Sequence, residues 1–507
     1  MKTDSGVTTS VWMATSDVPR LPALAEDTRA DVCIVGAGIA GLSTAYLLGR
    51  QGKSVVVLDD GPLAGGETCR TTAHLVSALD DRYFELERVH GEQGARLAAE
   101  SHAAAVDRIE SIVRDEKIAC DFERLDGFLF VPPGDPPEIL DRELKAVRRA
   151  GLVDVEMVAR APLEHFDTGP CLRFPRQAQF HPIKYLAALA KAIQRDGGRI
   201  YSGTRAEKFE GGSVAHVTTS KGHVAAADAL VVATNTPVND RLVIQTKQYP
   251  NRTYVIAIRV PAGRVARALY WDTPTPYHYV RLQTVDPRSE LLIVGGEDHR
   301  TGQEDDAEER YARLESWTRE RFPQATSVEY RWSGQIMEPA DGLAFIGRNP
   351  ADERNVFVAS GDSGNGMTHG TIAGILITDL ILGRDNAWAE LYDPGRKSLR
   401  ALPEYAKENV KSAAAYAGWA TGGDVESEDE IAAGEGAIVR HGLHKVAAYR
   451  DSAGRLTRLS AVCPHLGCIV EWNSSEKSWD CPCHGSRYAA DGHVINGPAG
   501  RGLSRQD

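Results

Sequence analysis

No stretch of this chain is long and apolar enough to cross a bilayer as a helix. The most membrane-like run, "TIAGILITDLILG", is short and interrupted by Asp379. The N-terminus, "MKTDSGVTTSVWMATSDVPR", lacks an apolar core and a twin arginine, so no export signal is expected. Basic residues are outnumbered, 58 Lys and Arg against 70 Asp and Glu, and the net charge of −12 argues against nucleic acid as a partner. There is no internal repeat of solenoid period. Cysteine is scarce, with 8 in 507 residues. Cys33, Cys69, Cys120 and Cys171 are scattered, which excludes a secreted disulfide scaffold and predicts a reducing, cytoplasmic setting.

What is present begins with length, enough for about two to four domains. "ADVCIVGAGIAGLSTAYLLGRQGKSVVVLDD" runs from Ala30 to Asp60. Val32 to Val35 reads as a buried parallel strand, Ile39 to Arg50 as a helix and Ser54 to Leu58 as a second strand. Gly36, Gly38 and Gly41 form G-x-G-x-x-G at the turn, with Ile39 and Ala40 opening the helix. Such glycines permit a tight turn, close approach of backbone to a pyrophosphate, and close helix–strand packing. The helix N-terminus offers N–H groups to phosphates. Asp59 and Asp60 end the second strand, where a carboxylate accepts ribose hydroxyls. Strand, turn, helix, strand and acid in register predict a dinucleotide site, although the fingerprint alone does not choose between NAD and FAD.

A second glycine-rich turn lies in "NVFVASGDSGNGMTHGTIAGILITDLILG". A strand over Val356 to Ala359 leads through Gly361, Gly364 and Gly366 to a helix expected from about Gly370 to Leu382. With "GGETCRTTAHL" and "PADGLAFIGR", these segments resemble FAD-dependent oxidoreductases of the D-amino acid oxidase and sarcosine oxidase type, over roughly residues 28 to 390. The resemblance implies that the first motif holds the ADP half of FAD. It places Thr68, Arg70, Thr71, Thr72 and Ala73 beside the isoalloxazine, and Gly361, Gly364, Gly366, Met367 and Thr368 near the pyrimidine and ribityl chain. It also implies a flavin domain split in sequence, with parts near 28–80, 175–245 and 333–390, and substrate-domain parts near 81–174 and 246–332. Relatives that attach FAD covalently use a histidine in the second motif or a cysteine before the "P-x-D-G" segment. Here Cys69-Arg70 and Gly334 stand near those places, so FAD is expected to be non-covalent. Cys69 itself reads as a packed small residue.

The remaining cysteines crowd into "CPHLGCIVEWNSSEKSWDCPCHGS", Cys463 to Ser486, with two histidines. Zinc modules usually space ligands C-x2-4-C and H-x3-5-H. Here the pattern is C-x-H (Cys463, His465), 15 residues, then C-x2-H (Cys481, His484). This spacing points to a Rieske [2Fe–2S] centre, with two cysteines on one iron and two histidines on the other. Such centres span roughly −150 to +300 mV. The stretch resembles the Rieske proteins of cytochrome bc complexes. That resemblance implies a disulfide between Cys468 and Cys483, and hydroxyls of Ser486 and Tyr488 that tune the cluster by hydrogen bonding to its sulfurs. "GHVINGPAG" supplies the closing proline-bearing loop.

"AAAYAGWATGGDVESEDEIAAGEG", residues 413–436, reads as a linker. Residues 391–423 form an arm and linker, and 424–507 the Rieske domain. The expected fold is α/β: a Rossmann-type FAD-binding domain with an inserted β-rich substrate domain, then a small all-β Rieske domain. Fusion raises the effective concentration of a one-electron acceptor beside a two-electron flavin. This predicts a dehydrogenase of an amine or amino-acid-like small molecule, delivering electrons to a cytochrome, quinone or ferredoxin-like acceptor. An oxygen-using oxidase with a structural Rieske domain, and a redox-sensing or electron-transfer adaptor, are the alternatives. Oxidase relatives place a lysine near the flavin; the matching place, near Gly295, has none.

Little acid–base machinery is needed for hydride transfer to a flavin. Candidates are His299, matching a histidine over the flavin in relatives, and Gln335 and Glu338 before the flavin-edge segment. In "PYHYVRL" alternation puts Tyr277, Tyr279 and Arg281 on one face and His278 on the other, so Arg281 could anchor a carboxylate. The helix in "EDDAEERYARLESWTRERF" turns Ala307, Tyr311, Leu314 and Phe322 inward and its charges to solvent.

Overall fold

The computed structural model describes residues 5–239, 244–442 and 444–506. Two large sheets and two small ones organise the chain. The first is built on parallel strands in the order Val356–Ser360, Val224–Val232, Thr28–Val35, Val55–Leu58, Arg199–Tyr201, with Phe345–Arg348 antiparallel at one edge. Val55 to Leu58 are buried throughout, as a parallel strand covered on both faces requires. Helices Ile39–Gly49 and Gly366–Ile381 pack closely against one another. The closeness depends on two glycines: a Cβ at Gly370 would lie 2.6 Å from Ile39 Cγ2, and one at Gly374 2.7 Å from Ser43 Cβ. The second helix starts at Gly366, earlier than the expected Gly370, so Met367 and Thr368 sit in its first turn.

The second sheet has nine strands and forms the β-rich layer. Its centre runs Val328–Pro339, Gln248–Pro261, Ser289–Arg300, Tyr279–Asp286, Leu269–Asp272, Glu123–Phe130, Cys171–Gln179. The expected breaks at 175 and 333 fall inside continuous strands of this sheet, because a strand leaves its layer only where its ladder ends. Helix Ala307–Arg321 covers one face with Ala307, Tyr311 and Leu314 buried, and Phe322 buried just beyond it.

The C-terminal unit has a three-stranded sheet, Glu435–His441, His444–Arg450 and Leu456–Ser460, and a four-stranded one, Glu471–Asn473, Ser478–Asp480, Arg487–Ala489 and Val494–Asn496. The segment 413–436 is not a loose tether. A helix, Leu402–Ala414, leads into a 3-10 turn, Ala415–Trp419, that docks on the first cysteine loop. Tyr416 Oη donates to the Leu466 carbonyl at 2.7 Å, and Trp419 Nε1 to that of Gly467 at 2.9 Å. Two aromatic donors anchor what small residues and glycine suggest is flexible.

A buried charge network fixes the C-terminal unit against the other layers. Arg70, Arg252, Arg487, Glu476 and Asp480 are each no more than 2% exposed. Arg70 pairs with Glu476 at 3.0 Å, Arg252 with Asp480 at 3.4 Å, and Arg487 with Asp480 at 3.2 Å. The N-terminal segment threads between the units. Ser5 accepts from Arg70 Nε at its hydroxyl and from Arg487 Nη1 at its carbonyl, both at 2.9 Å. The Trp12 indole donates to the Thr71 carbonyl at 2.6 Å. Among the described residues no helix is long and apolar enough to cross a membrane.

Candidate functional site

One cleft begins at the Gly36–Gly41 turn and runs to the second sheet. The turn is fixed by sterics. Gly36 has φ +109° and a Cβ there would lie 2.3 Å from the Ala233 carbonyl oxygen; a Cβ on Gly41 would lie 1.9 Å from that of Gly36. Asp59 accepts from the backbone N–H of Ala37 at 2.6 Å and of Gly61 at 2.8 Å, which holds its carboxylate on the cleft wall. Gly38, Ile39, Ala40, Asp60, Thr68, Arg70, Thr71, Thr72, Gly361, Gly364, Gly366 and Met367 line the same cleft. Gly41, Ala73 and Thr368 stand behind the wall. Ala73 accepts from Arg281 at its carbonyl, and Thr368 Oγ1 lies 2.9 Å from His102 Nδ1.

The far end of the cleft is walled by His74, Asp80, Thr253, Trp271, Tyr277 and Tyr279. Tyr277 Oη donates to Asp80 Oδ2 at 2.5 Å. Burial pushes Asp80 up to about 6 despite that bond and the nearby Arg82. Tyr277 and Tyr279 share a face and His278 takes the other, stacked on Trp317, as alternation predicts.

Arg281 continues the tyrosine face but is fully buried behind the wall. It donates to the carbonyls of Thr72, Ala73 and Phe180, so its guanidinium shapes the 72–73 turn and does not face the cleft. His299 lies away from the cleft, stacked on Tyr254 with Nε2 2.9 Å from its hydroxyl. Glu338 accepts from Ser363 Oγ at 3.2 Å and is also off the wall. Gln335 alone of the four catalytic candidates lines the cleft.

The cysteine-rich loops meet at one end of the C-terminal unit. Cys463 Sγ lies 3.1 Å from Tyr488 Oη, and the rings of His465 and His484 stand edge to face with centroids 5.0 Å apart. His484 Nδ1 is buried with no hydrogen-bond partner among the described residues, as expected of an atom that ligates iron. Hydrogen bonding between the two sulfurs pulls the Cys463 thiol down and pushes that of Cys481 up, so the metal-free pair shares a proton between them. Cys468 and Cys483 form a disulfide between the loops, with Cα atoms 6.5 Å apart. Ser486 Oγ accepts from Ala499 N–H at 3.2 Å and ties the second loop to the proline-bearing loop.

Val494 to Gly497 of that last loop, and Gly500, also wall the cleft. Asn496 Nδ2 donates to Glu67 Oε1 at 3.3 Å, and Arg487 lies 3.7 Å from the same oxygen. Glu67, Asp80 and the N-terminal strap were not singled out in the sequence. Glu67 sits inside a recognisable motif and was open to discovery there; Asp80 carries no local signal.

Residues 31–380 match the FAD dependent oxidoreductase (DAO) family. The chain belongs to that family. Residues 423–505 of this FAD-dependent oxidoreductase match the Rieske [2Fe-2S] domain. The oxidoreductase unit binds FAD and the Rieske unit a [2Fe–2S] cluster. YhfW of Bacillus subtilis (strain 168), named as a Rieske 2Fe-2S iron-sulfur protein, is 33% identical over 98% of this chain and 97% of its own. Gamma-glutamylputrescine oxidoreductase of Escherichia coli (strain K12) is 29% identical over 74% of this chain and 91% of its own. Glycine oxidase from Geobacillus kaustophilus superposes with TM-score 0.61, at 20% identity, over 73% of this chain and 99% of its own, a likeness of fold.

Proposed function

We propose that this oxidoreductase is a dehydrogenase of an amine, and that it passes electrons from the flavin through its own Rieske cluster to an external one-electron acceptor. The shared wall carries the reading: the Rieske loop at Val494 to Gly497 closes the cleft that holds the flavin motifs, and Asn496 bonds to Glu67 within one of them. When bound, FAD accepts a hydride from the donor carbon and the cluster accepts single electrons. The protein's part is to orient the donor and keep water out.

The far end of the cleft favours an ammonium over a carboxylate. Asp80 faces it, while the arginines on the described wall, Arg70 and Arg205, are paired with Glu476 and Asp60. Arg281 is spent on carbonyls. The name of the Escherichia coli relative supports an amine as well. Against direct use of oxygen, Gly295 has no room for a side chain: a Cβ there would lie 2.3 Å from the Tyr279 ring. Anaerobic mixing with a panel of amines, amino acids and hydroxy acids tests the reading. Amines should bleach the flavin and amino acids should not. Peroxide formed in air at the full rate of substrate loss would replace this reading with an oxidase.

A further inference from the structure

We infer that the Gln335 side chain is the electronic contact between the flavin cleft and the cluster; this rests on the proposal that electrons pass between them. Gln335 is 1% exposed and lines the cleft. Its backbone N–H is pinned by Glu67 Oε2 at 2.8 Å. Its Nε2 donates across the domain boundary to the Gly485 carbonyl at 2.9 Å. Gly485 follows His484 directly, so one hydrogen bond and a short length of backbone separate the cleft wall from an iron ligand.

Gly485 is held at φ +75°, and a Cβ there would come within 2.6 Å of Pro250 and 2.9 Å of Gln335 Nε2. Glycine is needed for that approach. At the other end of the amide, Gln335 Oε1 is buried and has no donor among the described residues.

The competing hydrogen bonds do not connect the same two places; Gly497 lines the cleft and backs onto Gly485 and Ser486, but by packing. Arg252 reaches Asp480, beside ligand Cys481, but lies off the cleft wall. Asn496 lines the cleft but bonds to Glu67, away from any ligand. Electron tunnelling falls off more slowly through bonds and hydrogen bonds than across gaps, which favours the Gln335 route. The reduced flavin gives up two electrons and two protons. The electrons cross one at a time, each reducing one cluster iron from ferric to ferrous before the external acceptor takes it. The protons go to solvent.

The test is flash photoreduction of the holoenzyme, which injects one electron and reads its redistribution between flavin and cluster spectra. Gln335→Met keeps length and removes both polar ends. It should slow redistribution about tenfold or more, with the cluster's paramagnetic spectrum and both midpoint potentials unchanged. Gln335→Leu reads the same contact should the Met variant fail to hold both cofactors. Ser474→Ala deletes another interdomain hydrogen bond, to Asp305, off this route, and should match the parent. A parent-like rate in the Gln335 variants overturns this inference and leaves the proposed function standing. An injected electron that never redistributes in the parent overturns both.

Discussion

Replacing one cluster ligand should separate the two cofactors. Cys463→Ser or His484→Ala is expected to abolish the Rieske visible and paramagnetic signals while FAD stays bound, read by iron content and flavin absorbance. Two irons per chain in either variant would contradict the ligand set. Asp80 makes a second test. An ammonium substrate needs it ionised, and its value is raised to about 6. Amine kcat/KM should therefore fall as pH drops through about 6. Asp80→Asn should raise KM and remove that limb of the pH profile, and a profile identical to the parent's would dismiss Asp80 as the anchor. Glu476 makes a third. Burial alone would raise it, but Arg70, Arg252 and Arg487 outweigh that and hold it at about 2. Its contribution to docking is complete above about 4.5 and is lost as pH falls toward about 2. Removing one partner of such a buried set costs roughly 3–5 kcal/mol. Glu476→Ala should accordingly loosen the Rieske unit, seen as faster proteolysis near residue 423.

Between elements, the two motifs legible in the sequence are the two whose chemistry is local. The G-x-G-x-x-G turn and the paired C-x-H and C-x2-H loops need only neighbours along the chain. The Tyr277, His278, Tyr279 alternation was legible for the same reason. His299 was not. Gly296 at φ +145° and Glu297 at φ +59° break its strand, and the ladder to Gln248–Pro261 shifts register opposite them. A match to relatives made position by position along the strand slips at that bulge and puts His299 on the wrong face. Arg281 was placed on the right face, yet its burial against carbonyls from two other segments depends on packing that no local pattern encodes. The strap at Ser5 to Thr15 was invisible because its partners lie 59 to 482 residues away. Deleting residues 1–15 should leave both cofactors bound but lower the melting temperature of the interface, followed by calorimetry as a split of one transition into two. A single unshifted transition would make the strap decorative.

At the scale of the whole molecule, the Rieske unit is held fast against the flavin cleft. Three arginines and their carboxylates, the N-terminal strap, and Tyr416 with Trp419 all fasten the Rieske unit where its loops wall the flavin cleft. A unit fixed in this way needs no excursion to meet the flavin. The most direct measurement is anaerobic stopped-flow reduction by a turnover-competent amine, following flavin and cluster bands together at several protein concentrations. The flavin should bleach first and the cluster second, and the second rate constant should be independent of protein concentration. A cluster that stays oxidised beside a fully reduced flavin, or a second phase that scales with protein concentration, would contradict electron transfer within one chain.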